Sequence, residues 1–509
     1  MADTLPLLDR RITLEQAQCA DDNILHQIGY PQQKREFFNH LWAHKSEIEA
    51  IVCFHLGVKE CRVRDIETWL SGSYNVCIGI SINPPSKVRS LFVRIPLPYK
   101  LGEENSPGNV EEKLRCEVAS YIWLQERCPD VIIPCLFGFG FPNGQTFTAP
   151  ERTSLLTRSM WSIKRTLLWW LGFPVPCRYI NRRRKDVLGT GYIIISRVTQ
   201  GRMLSDTFEE FRHDKRRRTN LFHSLAQINL SLNKYPLASI GCFSFSDRGF
   251  ITLTNRPLTL QLQTLENEGI PTGISRSSTY TAVEPYFLDL LNCHDNRILH
   301  QPNAIHDVDD GQQQMAALTM MRAVLHHFSP RDSRSGPFVF TLTDLHQSNI
   351  FVDDDWNITS LIDLEWACSL SLQLQCPPYW LSGRGIDQME PGEHLDEFQE
   401  LVLEYIDIFE QEEKAVVGKP LQQAPMMRRC WETGTFWYFQ AINSPKGLYR
   451  VFNEHIQRKF YPPHCDMQIF DELVSPYWCV GTAAVIGKKL EEEKEYKDKI
   501  EKFSEQILG

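Results

Sequence analysis

Residues 338–366 (FVFTLTDLHQSNIFVDDDWNITSLIDLEW) constrain this chain more than any other stretch. An apolar run ends at a short polar loop that carries Asp344, and Asn349 follows five residues later. Residues 350–352 and 358–362 read as two strands joined by an Asp-rich turn, and Asp363 ends the second. Transfer of a phosphoryl group asks little covalent chemistry of a protein. It needs one carboxylate to orient an acceptor hydroxyl, and oxygen ligands for a divalent cation on the phosphates. A loop Asp, an amide at the root of a hairpin and a second Asp at its end can supply all three. Any one of these residues alone is read as a turn or helix cap. It is the set, spaced five and fourteen residues apart, that points to chemistry.

The rest of the chain predicts what surrounds this segment. Residues 33–54 carry Phe37, Phe38, Leu41, Trp42, Ile48 and Ile51 near helical period, so an amphipathic helix is expected there. Strand-like runs follow at 61–70, 74–82 and 89–95, the first two separated by a tight turn at Ser71-Gly72-Ser73. After a loop at 99–109, a helix is predicted at about 110–128, then strands at 132–140 and 192–197. Residues 243–245 and 250–254 flank Asp247-Arg248-Gly249, a hairpin signal. The basic run at 212–218 starts a predicted helix, and further helices are expected at 281–293, 310–328, 395–414, 421–441, 446–459 and 482–507. Strands with one helix, then mostly helices, predict an α+β chain: a small antiparallel sheet lobe followed by a larger helical one.

Residues 150–188 interrupt the first lobe with Trp161, Trp169, Trp170, Pro174, Pro176 and Arg182-Arg183-Arg184-Lys185. The plain expectation is a surface hairpin or helix packed on the domain, with no amphipathic face of useful length. The sharper alternative is a basic and aromatic patch for a membrane surface or a partner. Composition narrows the remaining classes. With 42% hydrophobic residues, 12 Trp and 28 Phe among 509 residues, disorder of the whole chain is excluded. A net charge of −9 argues against general nucleic-acid binding and would tolerate a cationic small molecule. No apolar run reaches the ~18 residues a transmembrane helix needs. The first residues lack the apolar core of a signal peptide, and the 15 Cys show no zinc-type spacing, so a cytoplasmic location with reduced thiols is expected.

TDLHQSN followed by LIDLEWA resembles the aminoglycoside phosphotransferase family of the protein-kinase-like superfamily, and more narrowly its large branch in filamentous fungi. Asp344, His346, Asn349, Asp363, Glu365 and Trp366 all occupy positions of that family's pattern, H-G-D-L-H-x-x-N-I-L/F-V and then I-D-W/L-E. The likeness runs over roughly residues 60–480, through VRIPLP (93–98), the Glu117 segment and residues 225–245. It implies that Asp344 is the catalytic aspartate, and that Asn349 and Asp363 hold Mg²⁺ under ATP. His346 would brace the loop, and Glu365 would support the metal or the loop. On the nucleotide side it implies Arg94 as the phosphate-gripping cation, with Glu117 as its partner. Ser71, Gly72 and Ser73 would form the turn over the phosphates. Ser196 and Val198 would belong to the hinge that meets adenine, ended by Gly201. Two positions depart from the pattern. Leu342-Thr343 replaces His-Gly, and Arg94 replaces Lys, with a bidentate head and a different reach.

The resulting expectation is an ATP- and Mg²⁺-dependent phosphotransferase acting on a hydroxyl of a small molecule. The acceptor site is expected between Asp344 and the helices of the second lobe, with acidic residues at 390–400 as candidate lining for a cationic acceptor. The alternative is a catalytically quiet kinase-like scaffold that binds nucleotide or a partner. Protein-kinase activity ranks below both, because no activation-segment pattern follows Asp363. The expected organisation is a helical extension over 1–58, a nucleotide lobe over 59–198 containing the 150–188 insertion, and a catalytic and acceptor lobe over 199–509 that ends in a charged helix.

Overall fold

A computed structural model describes residues 4–82, 90–185, 188–416, 422–461 and 466–508. Residues 89, 186, 187 and 421, which fall within predicted segments, lie outside the described residues. The chain is α+β and bilobal. Its smaller lobe is an eight-stranded antiparallel sheet in the order Cys61–Val63, Asn75–Ile82, Ser90–Pro96, Tyr192–Ser196, Leu136–Gly140, Gln145–Thr148, Ile180–Arg183, with Leu70–Ser71 also pairing with Asn75–Ile82. The two-residue period of the strands divides their side chains between two cores. Val76, Ile78, Ile80, Val93 and Ile95 pack under the helices Tyr30–Ala43 and Lys45–Leu56, with Leu41, Ile48, Ile51 and Val52. Arg94, one step out of phase with Val93 and Ile95, meets the helix Asn109–Arg127 on the opposite face.

The larger lobe is built on the helices Lys215–Leu232, Val283–His300, Val308–Phe328, Glu393–Ala415 and Thr482–Leu508. Two hairpins lie in it: Cys242–Phe245 with Ile251–Asn255, and Ile350–Val352 with Ile358–Leu361. The strand Phe338–Leu342, which delivers the chain to Asp344, pairs with Ala367–Ser371.

Several predicted elements differ in detail. The helix expected over 33–54 is two helices that break at His44. The run at 61–70 is a strand only as far as Val63, because Ile66–Thr68 makes a helical turn before Leu70–Ser71 rejoins the sheet. The helix expected over 421–441 breaks at Gly434, whose φ of +81° suits glycine. The first residues pack on the last helix. Leu5, Ile12, Ala17, Ile24 and Ile28 form a core with Tyr496 and Ile500 of the final helix, and the Ile24 amide donates to Tyr496 Oη at 2.8 Å. Residues 150–185 hold a helix, Leu155–Trp170, and the edge strand Ile180–Arg183. The expectation that this segment lacks an amphipathic face is wrong. Leu156, Met160, Ile163, Leu167 and Trp170 align along one side of the helix, and that side is exposed.

Candidate active site

The chain turns out of the strand Phe338–Leu342 into the loop of Asp344, and Thr343 Oγ1 pins that turn by donating to the Trp366 carbonyl at 2.5 Å. His346 then caps the short helical turn Gln347–Asn349: its Nδ1 accepts from the Ser348 amide at 3.3 Å, and its Nε2 lies 3.3 Å from Asn349 Nδ2. Asn349 Nδ2 also donates to the Asp344 carbonyl at 2.9 Å. With its nitrogen spent on the loop, the amide oxygen of Asn349 is the atom that could serve as a ligand. The hairpin closes around Asp353, whose Oδ1 accepts from the Asp355 and Asn357 amides. It returns the chain beside its start, where the Ile362 amide donates to the Asn349 carbonyl at 2.9 Å. Asp363 follows with φ +62°, an unusual conformation for a residue other than glycine. Asp344, Asn349 and Asp363 are thus gathered by one loop and one hairpin.

A buried ionic cluster joins this segment to the sheet. Arg94 lies 3.0 Å from Glu117 Oε1 and 2.9 Å from Glu365 Oε2, and also pairs with Asp363. Lys113, one helical turn before Glu117, is fully buried. It reaches Glu117 at 3.2 Å, donates to Asn75 Oδ1 at 2.8 Å and pairs with Glu365. Asn75 in turn donates to Glu365. Two cations thus face three carboxylates. Burial raises Glu365, but Lys113 and then Arg94 outweigh it and hold that carboxyl at about 2. Burial pushes Asp363 up to about 6 against the pull of Arg94. His346 Nε2 lies 3.8 Å from Asp344 Oδ1, but burial pushes that imidazole below its ordinary value and so disfavours its charge; burial, then the charges of Asp363 and Glu365, push Asp344 up to about 7.

The other predicted residues take these places. Ser71, Gly72 and Ser73 form an exposed turn, with the Gly72 amide donating to the Asn75 carbonyl at 2.9 Å. The turn sits beside Tyr74, which meets Trp366 edge-on at 5.1 Å, and Asn75, which meets Glu365. Ser196 exchanges hydrogen bonds with Cys135: its amide donates to the Cys135 carbonyl, and its Oγ accepts from the Cys135 amide. Val198 lies two residues on, half-buried, in the connection to the second lobe. Gly201 ends that connection against the hairpin, and a Cβ there would stand 2.4 Å from the Val352 carbonyl oxygen.

No family model matches the chain, and no curated protein matches it by sequence. Among solved structures, the chain is similar to the streptomycin–ATP–APH(2")-IIa ternary complex, at 11% identity and a TM-score of 0.35, over 81% of this chain and 95% of that one.

Beside Asp344 opens a cavity of about 540 Å³. Its walls come from distant segments: Leu260, Gln261 and Glu268, then Tyr286 and Arg297, then Tyr379 and Trp380, then Phe439 and Lys446. Gln261 Oε1 and Tyr286 Oη are buried there without a hydrogen-bond partner. The acidic residues at 390–400 do not line it. They open the helix Glu393–Ala415 on the surface, where Glu397 pairs with Arg212 at 2.7 Å and Glu390 pairs with Arg450. Sequence reasoning missed Lys113 and Asn75. The one signal for Lys113 was its place four residues before Glu117 on the inward side of a helix.

Among the described residues, no group of three or more His, Cys, Asp or Glu side chains could hold a metal ion by itself. Asn349 and Asp363 do fit a Mg²⁺ shared with phosphates, which takes only one or two protein oxygens. The crowding of Asp344, Asp363 and Glu365 adds an electrostatic reason for a cation there.

Proposed function

We propose that the chain is a phosphotransferase of the protein-kinase-like superfamily, moving the γ-phosphoryl group of ATP to a hydroxyl of a small molecule. The observation that carries this reading is Asp344, a carboxylate with its proton affinity raised to about 7, lining a 540 Å³ cavity on the same loop as Asn349. A base near neutral pH can hold the acceptor's proton as its oxygen attacks phosphorus. Bound Mg²⁺ would neutralise charge on the β- and γ-phosphates; Asn349 and Asp363 are the residues to hold it. The remaining roles belong to the chain. Arg94 and Lys113 fix Glu365 and Asp363, and the turn Ser71–Ser73 offers backbone N–H groups to the phosphates. The cavity orients the acceptor with aromatic walls at Trp380 and Phe439 and the free polar atoms of Gln261 and Tyr286. An acceptor with several polar groups on a partly apolar frame fits it. Action in the cytoplasm is part of the same proposal.

One contact favours a second reading, the catalytically quiet scaffold: Arg94 already pairs with Asp363, so Mg²⁺ must compete for that carboxylate. The experiment measures stabilisation by MgATP and ATP turnover against amino-sugars, amines and metabolite alcohols. Stabilisation lost in Asp363→Ala, with turnover lost in Asp344→Ala, supports the enzyme. Stabilisation without turnover on any acceptor favours the scaffold, and absence of MgATP binding overturns both.

A further inference from the structure

The helix Leu155–Trp170 turns its apolar side the wrong way for a soluble domain. Trp161, Arg165 and Leu168, at i, i+4 and i+7, face the protein. Trp161 Nε1 donates to the Arg178 carbonyl at 3.0 Å, and Arg165 Nε donates to the Pro176 carbonyl at 3.0 Å. The opposite side carries Leu156, Met160, Ile163, Leu167 and Trp170, at i, i+4, i+7, i+11 and i+14, so five large apolar side chains form one stripe. Leu156 is 73% exposed, Ile163 60% and Trp170 76%. Leu171 and Phe173 extend the exposed apolar surface beyond the helix. A helix of 16 residues spans about 24 Å, and an exposed stripe of that length marks an interaction surface.

Charge decides what covers it. Between residues 152 and 185 the sequence has nine Arg and Lys and no Asp or Glu, within a chain whose net charge is −9. Arg165, Arg178 and Arg184 are paired with Glu126, Glu151 and Glu47, whereas Arg158, Lys164, Arg183 and Lys185 are exposed. A symmetric contact with a second copy would bring these cations near their own counterparts, and like charges oppose it. An anionic lipid surface takes both features at once. Leucine, isoleucine and methionine enter the acyl boundary, Trp170 sits at headgroup level, and Lys164 at the edge of the stripe meets lipid phosphates. No single helix among the described residues is long and apolar enough to cross a membrane. We propose that the helix Leu155–Trp170 lies in the plane of an anionic membrane surface and holds the protein there as a peripheral protein.

The experiment is co-sedimentation of the full chain with phosphatidylcholine vesicles, with and without phosphatidylserine. The wild type is expected to bind the phosphatidylserine vesicles, less so at high salt, with a blue shift of tryptophan emission. The double variant L156E/I163E changes only exposed side chains, so it should melt like the wild type and lose binding. K164E should weaken binding by about tenfold. The proposal is overturned if the wild type ignores phosphatidylserine vesicles, or if L156E/I163E binds them as well as the wild type. It is also overturned if sedimentation velocity shows a dimer that I163E dissociates, which would assign the stripe to a second copy.

Discussion

Asp344 pays for its position in the cavity wall. Its carboxyl is raised from the ordinary 3.8 to about 7, so the folded chain holds that proton more tightly than the unfolded one. Stability therefore falls as pH climbs from about 4 to 7, and above 7 the ionised group is a net cost. Asp344→Asn is expected to raise the Tm of the ligand-free chain at pH 8 by about 1–3 °C, and by less at pH 5, in melts at the two pH values. The same substitution should lower turnover by about 10²–10⁴ while leaving stabilisation by MgATP intact. In the wild type, turnover should rise with pH as the base ionises, at a pH below the ligand-free value because a cation at Asp363 offsets one of the charges that raise Asp344. Lys113 is the opposite kind of residue, a fully buried cation. Lys113→Met leaves Glu117 and Glu365 short of compensation and should cost about 3–5 kcal/mol in chemical denaturation; adding Glu365→Gln should recover part of it. Asp344, Asn349 and Asp363 were legible because their spacing lies within one short segment. Lys113 was not, because a lysine in a helix reads as a solvated residue until the sheet it packs against is known.

At the scale of elements, the hairpin Ile350–Val352 with Ile358–Leu361 is the piece that turns spacing into a site, and it depends on its neighbour. Arg202–Met203 pairs along Ile350–Val352, and Gly201 passes against Val352 with φ +77°. Gly201→Ala would force a Cβ to within 2.4 Å of a carbonyl oxygen in a conformation alanine resists. It is expected to destabilise the chain by about 1–3 kcal/mol and to weaken stabilisation by MgATP, both read by thermal melts. The hairpin was readable from two short strand-like runs joined by an Asp-rich turn. The break at His44 was not, because the apolar period continues across it. The stripe of Leu156, Met160, Ile163, Leu167 and Trp170 was present in the sequence at helical spacing. What the sequence lacked was the direction it faces, which Trp161 and Arg165 set through contacts to residues 176–178.

At the scale of the molecule, the two ends of the described chain are bound into one unit. His306 ties them, with Nδ1 2.9 Å from Glu493 and Nε2 3.5 Å from Asp21. Hydrogen bonds to Asp21 and then Glu493 raise it to about 10. Its contribution is complete below the ordinary 6.5 and is lost as pH rises through about 10. His306→Gln should therefore lower Tm at pH 6 by about 1–3 °C, with the gap closing in melts near pH 10. The order of the two lobes was legible because strands and helices are segregated along the chain. The cavity was not, since its walls come from residues as far apart as Leu260 and Lys446, and no linear pattern records that meeting. The same joining of ends bears on synthesis. Leu5, Ile12, Ala17 and Ile24 leave the ribosome more than 450 residues before Tyr496 and Ile500, which are part of the surface they bury against. At about 5–20 residues per second, those early apolar side chains wait on the order of half a minute to two minutes for their partners. During that interval they are exposed apolar surface that a chaperone can cover.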